Sequence, residues 1–273
     1  MPSFPPLALA AVLATLVIHP ARAAEAEVRL LIGAVGGERI EAGLEIVLPP
    51  GWKTYWRTPG DAGIPPTIDA SASRGLARFE VAFPAPVLFE EAGLTALGYT
   101  ETVILPLDVR RASATGAADL DLAVQIGLCH EICLPLDTRI QAHVAADRPA
   151  DTDAAARIAA ARARVPVAAT MGTAPEILSL RRIERDGRAE IEVEAAMPEG
   201  GDHDLLVEGP TADWALPVPE RRSPAGARET WAFAIDGVPK GADIAATDLR
   251  FTLLAGDRAV EQWRQLDGAG SAP

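Results

Sequence analysis

Cys129 and Cys133 are the only two cysteines of the chain, set within Gly127-Leu128-Cys129-His130-Glu131-Ile132-Cys133-Leu134-Pro135. Two sulfurs at this spacing can close a small ring, bind a soft metal, or alternate between dithiol and disulfide. As a structural staple the pair is weak, because so short a loop removes only roughly 2 kcal/mol of unfolded-state entropy. Four steps of extended strand would hold the two Cα atoms about 13 Å apart, whereas a disulfide tolerates about 7 Å at most. The chain must therefore turn between them. Pro135 and the β-favouring run Leu120 to Ile126 point to a strand entering a tight turn rather than to a helix. The expected product is a small, exposed, strained ring, and bridges of that kind are the labile or catalytic ones.

His130 admits three readings. As an imidazolium it would favour a thiolate at Cys129; as an alternating strand neighbour it would simply face solvent; with Cys129 and Cys133 it would complete a copper or zinc donor set. No second pair of ligands accompanies that set, and His143 and His203 stand far away in sequence. Other chemistry is poorly represented. His130-Glu131 lacks the second histidine of a zinc-protease motif, and neither a Gly-x-Ser-x-Gly elbow nor a phosphate-cradling glycine loop occurs.

The elements expected to position the cysteines are strands. Val28 to Ile32, Ile40 to Leu48, Arg78 to Phe83, Thr102 to Val109 and Leu120 to Ile126 are short alternating runs separated by Pro- and Gly-bearing turns, the pattern of an all-β sandwich. In Trp52-Lys53-Thr54-Tyr55-Trp56-Arg57, alternation sends the two tryptophans to one face, the core, and Tyr55 and Arg57 to the other, where they could frame a surface site. Residues 147–168 read as a helical linker, with a start at Asp151-Thr152-Asp153. Beyond it, Ile177 to Ile183 and Ala189 to Ala195 flank an Asp186-Gly187 hairpin signal, and further runs, the last two turning at Gly256-Asp257, suggest a second sandwich over residues 169–268 with a disordered tail at 269–273.

Leu7 to Ile18 is apolar, and Ala21-Arg22-Ala23 offers a small-x-small cleavage pattern, so residues 1–23 are expected to be a cleavable signal peptide. An apolar core of about 12 residues is too short to span a bilayer. The mature chain is then exported to the periplasm, where thiols can be oxidised. Its formal charge is −13 before cleavage, which excludes nucleic acid as a partner of choice.

Four ordered motifs carry a family resemblance: Gly51 to Pro66, Phe83-Pro84-Ala85-Pro86, Gly98 to Pro106, and Cys129 to Pro135. Together they resemble the N-terminal periplasmic domain of DsbD-type thiol:disulfide interchange proteins, and look closest to the branch with the ScsB-like copper-tolerance proteins. The resemblance implies an immunoglobulin-like redox domain over residues 24–146. It also implies a thiol-disulfide oxidoreductase component that passes electrons from a thioredoxin-like domain or membrane-embedded disulfide reductase to oxidised periplasmic thiol proteins. By position, Cys133 matches the cysteine that forms the mixed disulfide with the thioredoxin-like partner, and Cys129 the one that resolves it. Family members cover the pair with an aromatic cap; Phe89 is the candidate here, with Glu90, Glu91 and Tyr99 near it and Tyr55 a further modulator. The alternative is a two-domain binding or copper-handling module whose cysteines are a bridge or ligands.

Overall fold

The computed structural model describes residues 26–91 and 93–266; the expected signal peptide and the tail at 269–273 lie outside them. The first ten strands are β1 (Glu27–Gly36), β2 (Arg39–Val47), β3 (Lys53–Gly60), β4 (Thr67–Asp69), β5 (Leu76–Val81), β6 (Val87–Glu91), β7 (Leu94–Tyr99), β8 (Val103–Arg111), β9 (Ala118–Cys129) and β10 (Cys133–Val144). They form two antiparallel sheets, one ordered β1-β2-β8-β5 and the other β10-β9-β3-β7-β6, with β4 on β9. Alternation builds the core between them. Ile40, Ala42, Leu44 and Ile46 from β2 and Leu105, Leu107 and Val109 from β8 meet Leu120, Leu122, Val124 and Ile126 from β9 around Trp56. The all-β sandwich expected from the pattern, immunoglobulin-like as the resemblance implies, is what the chain forms.

The linker carries helix α1 (Thr152–Arg162), capped by Asp151, whose side chain accepts from the Ala154 N–H at 3.0 Å. The helix packs on the outer face of the first sheet. A Cβ added at Gly33 would sit 2.9 Å from the Ala155 Cα, and one at Gly43 3.0 Å from Ile158 Cγ1, so glycines in β1 and β2 make the seat that the small helix residues occupy. Arg157 pairs with the buried Glu45 beside them. Ile158 is fully buried. Ile158→Ala is expected to cost about 2–5 kcal/mol in urea unfolding; an unchanged midpoint would mean that the helix is only a tether.

The second sandwich pairs a sheet of β11 (Val167–Ala168), β14 (His203–Glu208), β17 (Leu249–Ala255) and β18 (Arg258–Arg264) with one of β12 (Glu176–Arg185), β13 (Arg188–Ala196), β15 (Glu220–Arg221) and β16 (Arg228–Ala234). It has its own core, centred on Trp231, Phe233, Phe251 and Leu253. The β12–β13 hairpin turns at Asp186 and Gly187, both at positive φ (51° and 76°), the backbone that an Asp-Gly pair favours.

Two stretches differ from their sequence reading. Pro135 does not end the strand region but lies inside β10, an edge strand. Cys133 faces Cys129 with Cα atoms 4.2 Å apart, the spacing of a pair that exchanges no backbone hydrogen bonds, and Pro135 faces Gly127 two residues on. Its nitrogen therefore points away from β9, where a missing N–H costs nothing. The segment before Tyr99, read as a covering loop, is the β6–β7 hairpin, in which Phe89 pairs with Ala96.

Candidate functional site

Cys129 closes β9 and Cys133 opens β10, joined as a disulfide across a turn in which the His130 N–H donates to the Ile132 carbonyl at 3.2 Å. The two sulfur-bearing residues are unequal. Cys129 is fully buried and Cys133 is exposed, so the ring expected to be exposed presents one of its two residues to solvent. Burial of Cys129 follows from its central strand: β9 pairs with β3 so that Lys53 lies opposite Cys129, and the next residues of β3 and of the β6–β7 hairpin cover the sulfur. Tyr55, Ala96 and Cys129 form a small apolar cluster of their own, with Phe89 packed against it.

Tyr55 faces away from the sandwich core, as alternation requires, yet it is buried rather than outward in solvent. Its hydroxyl is 2.6 Å from Cys129 Sγ, 3.3 Å from Cys133 Sγ and 3.3 Å from Glu91 Oε2. Disulfide sulfurs carry no proton, so the hydroxyl is the donor, and its shortest line runs to Cys129. The phenol ring lies against glycine: a Cβ at Gly127 would be 3.0 Å from its Cδ2, and one at Gly63 would overlap the ring. Burial, then the Glu91 charge and its hydrogen bond, push the Tyr55 hydroxyl up to about 12. A raised folded-state value means that stability present below about pH 10 is lost as pH rises toward 12, because the unfolded chain ionises first. Tyr55→Phe is expected to flatten that alkaline decline in a series of unfolding curves; an unchanged slope would place the hydroxyl elsewhere.

Glu91 Oε1 lies 3.7 Å from Cys133 Sγ. A carboxylate at this distance opposes a thiolate on a reduced Cys133. Phe89 packs against this cluster, its ring centroid 6.3 Å from that of Tyr55, and Lys53 Nζ stands 4.6 Å from the Phe89 centroid while reaching the Glu90 carbonyl at 3.4 Å. Glu90 thus takes part through its backbone. Tyr99 belongs to the main core, where its hydroxyl donates to the Pro84 carbonyl at 2.8 Å and burial holds its pKa far above the usual range. His130 is exposed in the turn and its ring meets Trp52 at 5.8 Å. Among the described residues, the side chains whose donor atoms converge within 4.8 Å are Glu91, Cys129 and Cys133. His130, named with the two cysteines as an alternative donor, is not among them.

Lys53, Ala96, Gly63 and Gly127 had no signal in the spacing of the sequence. Arg57, paired with Tyr55 in the sequence reading, turns instead toward the second sandwich.

Residues 23–145 match the family model described as thiol:disulfide interchange protein DsbD, N-terminal. In the solved structures, the chain is similar to the N-terminal periplasmic domain of ScsB from Proteus mirabilis, with 20% identity, a TM-score of 0.68, and coverage of 89% of this chain and 94% of that one. No curated protein sequence matches. The resemblance read from the four motifs is borne out over the first sandwich, and the likeness to the ScsB domain extends the shared fold across both.

Proposed function

We propose, from the premise that residues 23–145 form a domain of the DsbD N-terminal type, that this chain is a periplasmic thiol:disulfide interchange protein working through Cys129 and Cys133. The observation that carries the reading is the asymmetry of the pair: Cys133 is open to an incoming thiolate, while Cys129 lies beneath Tyr55 and Phe89. A partner thiolate attacks Cys133 Sγ, forming a mixed disulfide and breaking the Cys129–Cys133 bond. Cys129 leaves with the electron pair, stabilised by the Tyr55 hydroxyl, and takes up a proton. The partner's second thiolate then attacks its own bonded sulfur and expels Cys133, which is protonated in turn. The chain gains two electrons and two protons, and the partner dithiol becomes a disulfide. Every step is reversible, so the same route delivers electrons onward to an oxidised protein.

The surroundings of Cys133 suit a protein partner with an apolar rim. Ile132 and Leu134 flank it on the hairpin, and Val87 and Leu94 project from the capping hairpin, all four exposed. Incubating the oxidised chain with a reduced thioredoxin-like protein, followed by thiol-labelling mass spectrometry, tests the proposal. Two thiols are expected to appear while the fold persists; labelling only after unfolding would make the bridge structural. Phe89→Ala is expected to speed labelling of the Cys129 thiol in a Cys133→Ser protein by uncovering the cluster that buries it, and an unchanged rate would remove Phe89 as its cover.

A further inference from the structure

Strand β3 joins the disulfide to the second sandwich. Tyr55 and Arg57 are two residues apart on β3, and past Tyr55, where the pairing with β7 shifts register, the strand runs into the interface between the sandwiches. Arg57 there grips Glu208 of β14 with a two-pronged contact, Nε to Oε1 at 2.9 Å and Nη2 to Oε2 at 2.7 Å, and reaches Glu261 of β18 at 2.6 Å. The Thr58 hydroxyl donates to the same Glu208 at 2.7 Å, and Arg250 binds Glu261 at 3.1 Å and so completes a charge-balanced node. The Arg57 and Glu208 side chains are 15% and 8% exposed, so this pair is shielded rather than solvated. Burial opposes the Glu208 charge, but Arg57, Thr58 and Arg250 hold its carboxyl below the usual range.

The loop that follows is held from the same side. Asp61 accepts the Val218 N–H at 3.2 Å, while its own N–H donates to the Thr95 carbonyl of β7 at 2.9 Å. Two residues later Gly63 lies against the Tyr55 ring. The outer side of this loop borders a cleft of about 470 Å³ between the sandwiches, lined by Pro59, Ala62, Gly63, Trp214 and Trp263.

We propose that the second sandwich is the positioning domain of the redox pair. Glu208 and Glu261, through Arg57, fix the end of β3 and the 59–65 loop so that the Tyr55 hydroxyl stays on Cys129. This inference rests on the exchange reading above. Glu208 and Arg57 touch neither sulfur, so they are positioning residues, acting through Tyr55.

A double-mutant cycle tests it, with the rate of reduction by dithiothreitol of Tyr55→Phe, Glu208→Ala and the double variant compared with that of the native chain. Tyr55→Phe is expected to slow reduction about tenfold through loss of a charge-assisted hydrogen bond to the leaving thiolate. Glu208→Ala should slow it severalfold, and the double variant should be no slower than Tyr55→Phe alone. The Cζ resonance of Tyr55, one of only two tyrosines in the chain, should shift or broaden in ¹³C-labelled Glu208→Ala. Additive effects, or an unmoved resonance, would overturn the positioning role and leave the exchange reading standing. A Tyr55→Phe protein as fast as the native chain would sink both the positioning role and the part given to Tyr55. Should Glu208→Ala not fold, Thr58→Val removes one hydrogen bond to Glu208 without emptying the node and serves in the same cycle.

Discussion

Cys133→Ser is expected to abolish exchange with a thioredoxin-like partner, and Cys129→Ser to leave a mixed disulfide that persists when the partner's own second cysteine is replaced by serine. The asymmetry follows from where the fold puts each residue. Cys133 is the first residue of an edge strand and faces solvent, whereas the Cys129 sulfur sits beneath a hydroxyl and behind an aromatic ring. A serine at 133 removes the accessible sulfur and leaves a buried thiol that no protein can approach without opening the cap. A serine at 129 leaves Cys133 able to join a partner but deletes this chain's own releasing thiol, so that only the partner's second thiol could undo the mixed disulfide. The intermediate should be visible as a covalent complex on a non-reducing gel and should dissolve on adding reductant. A stable complex with Cys133→Ser instead would exchange the two roles.

Gly98→Ala should have the second largest effect, about 3 kcal/mol of stability together with the loss of the Tyr55 contact. Gly98 in β7 lies directly opposite Tyr55 in β3. A Cβ there would overlap the Thr54 carbonyl oxygen and come within 2.9 Å of the Tyr55 Cα, contacts with backbone that no side-chain rotamer relieves. β3 and β7 would have to separate, and the residues that move are those holding the tyrosine on Cys129. Urea unfolding and the dithiothreitol rate measured on the same preparation check both parts. A stable variant with native exchange would show that the strands can part without disturbing the site.

The cysteine pair and its turn were legible because bond geometry forbids an extended chain between residues four apart. The inward faces of β2, β8 and β9 were legible because alternation is a local property. Four things were not. The burial of Cys129 depends on the register of β3 on β9, which places Lys53 opposite a cysteine 76 positions away, a pairing that no local pattern encodes. β6 and β7 read as a loop because their alternation is short and interrupted by Gly93, and only pairing with each other and with β3 makes them strands. β10 was hidden by Pro135, a strand-breaker everywhere except at a sheet edge. Arg57 and Glu208 are 151 positions apart, and only the packing of two sandwiches, which no local pattern encodes, turns them into a shielded pair.

The most direct measurement is the reduction potential of the Cys129–Cys133 pair, obtained by equilibrating the folded protein in glutathione or thioredoxin buffers and counting labelled thiols by mass spectrometry. The account predicts rapid equilibration and a value within about −120 to −270 mV, the range of proteins that exchange disulfides. A value well below about −300 mV, or thiols that appear only as the fold is lost, would contradict it and make the pair a structural bridge.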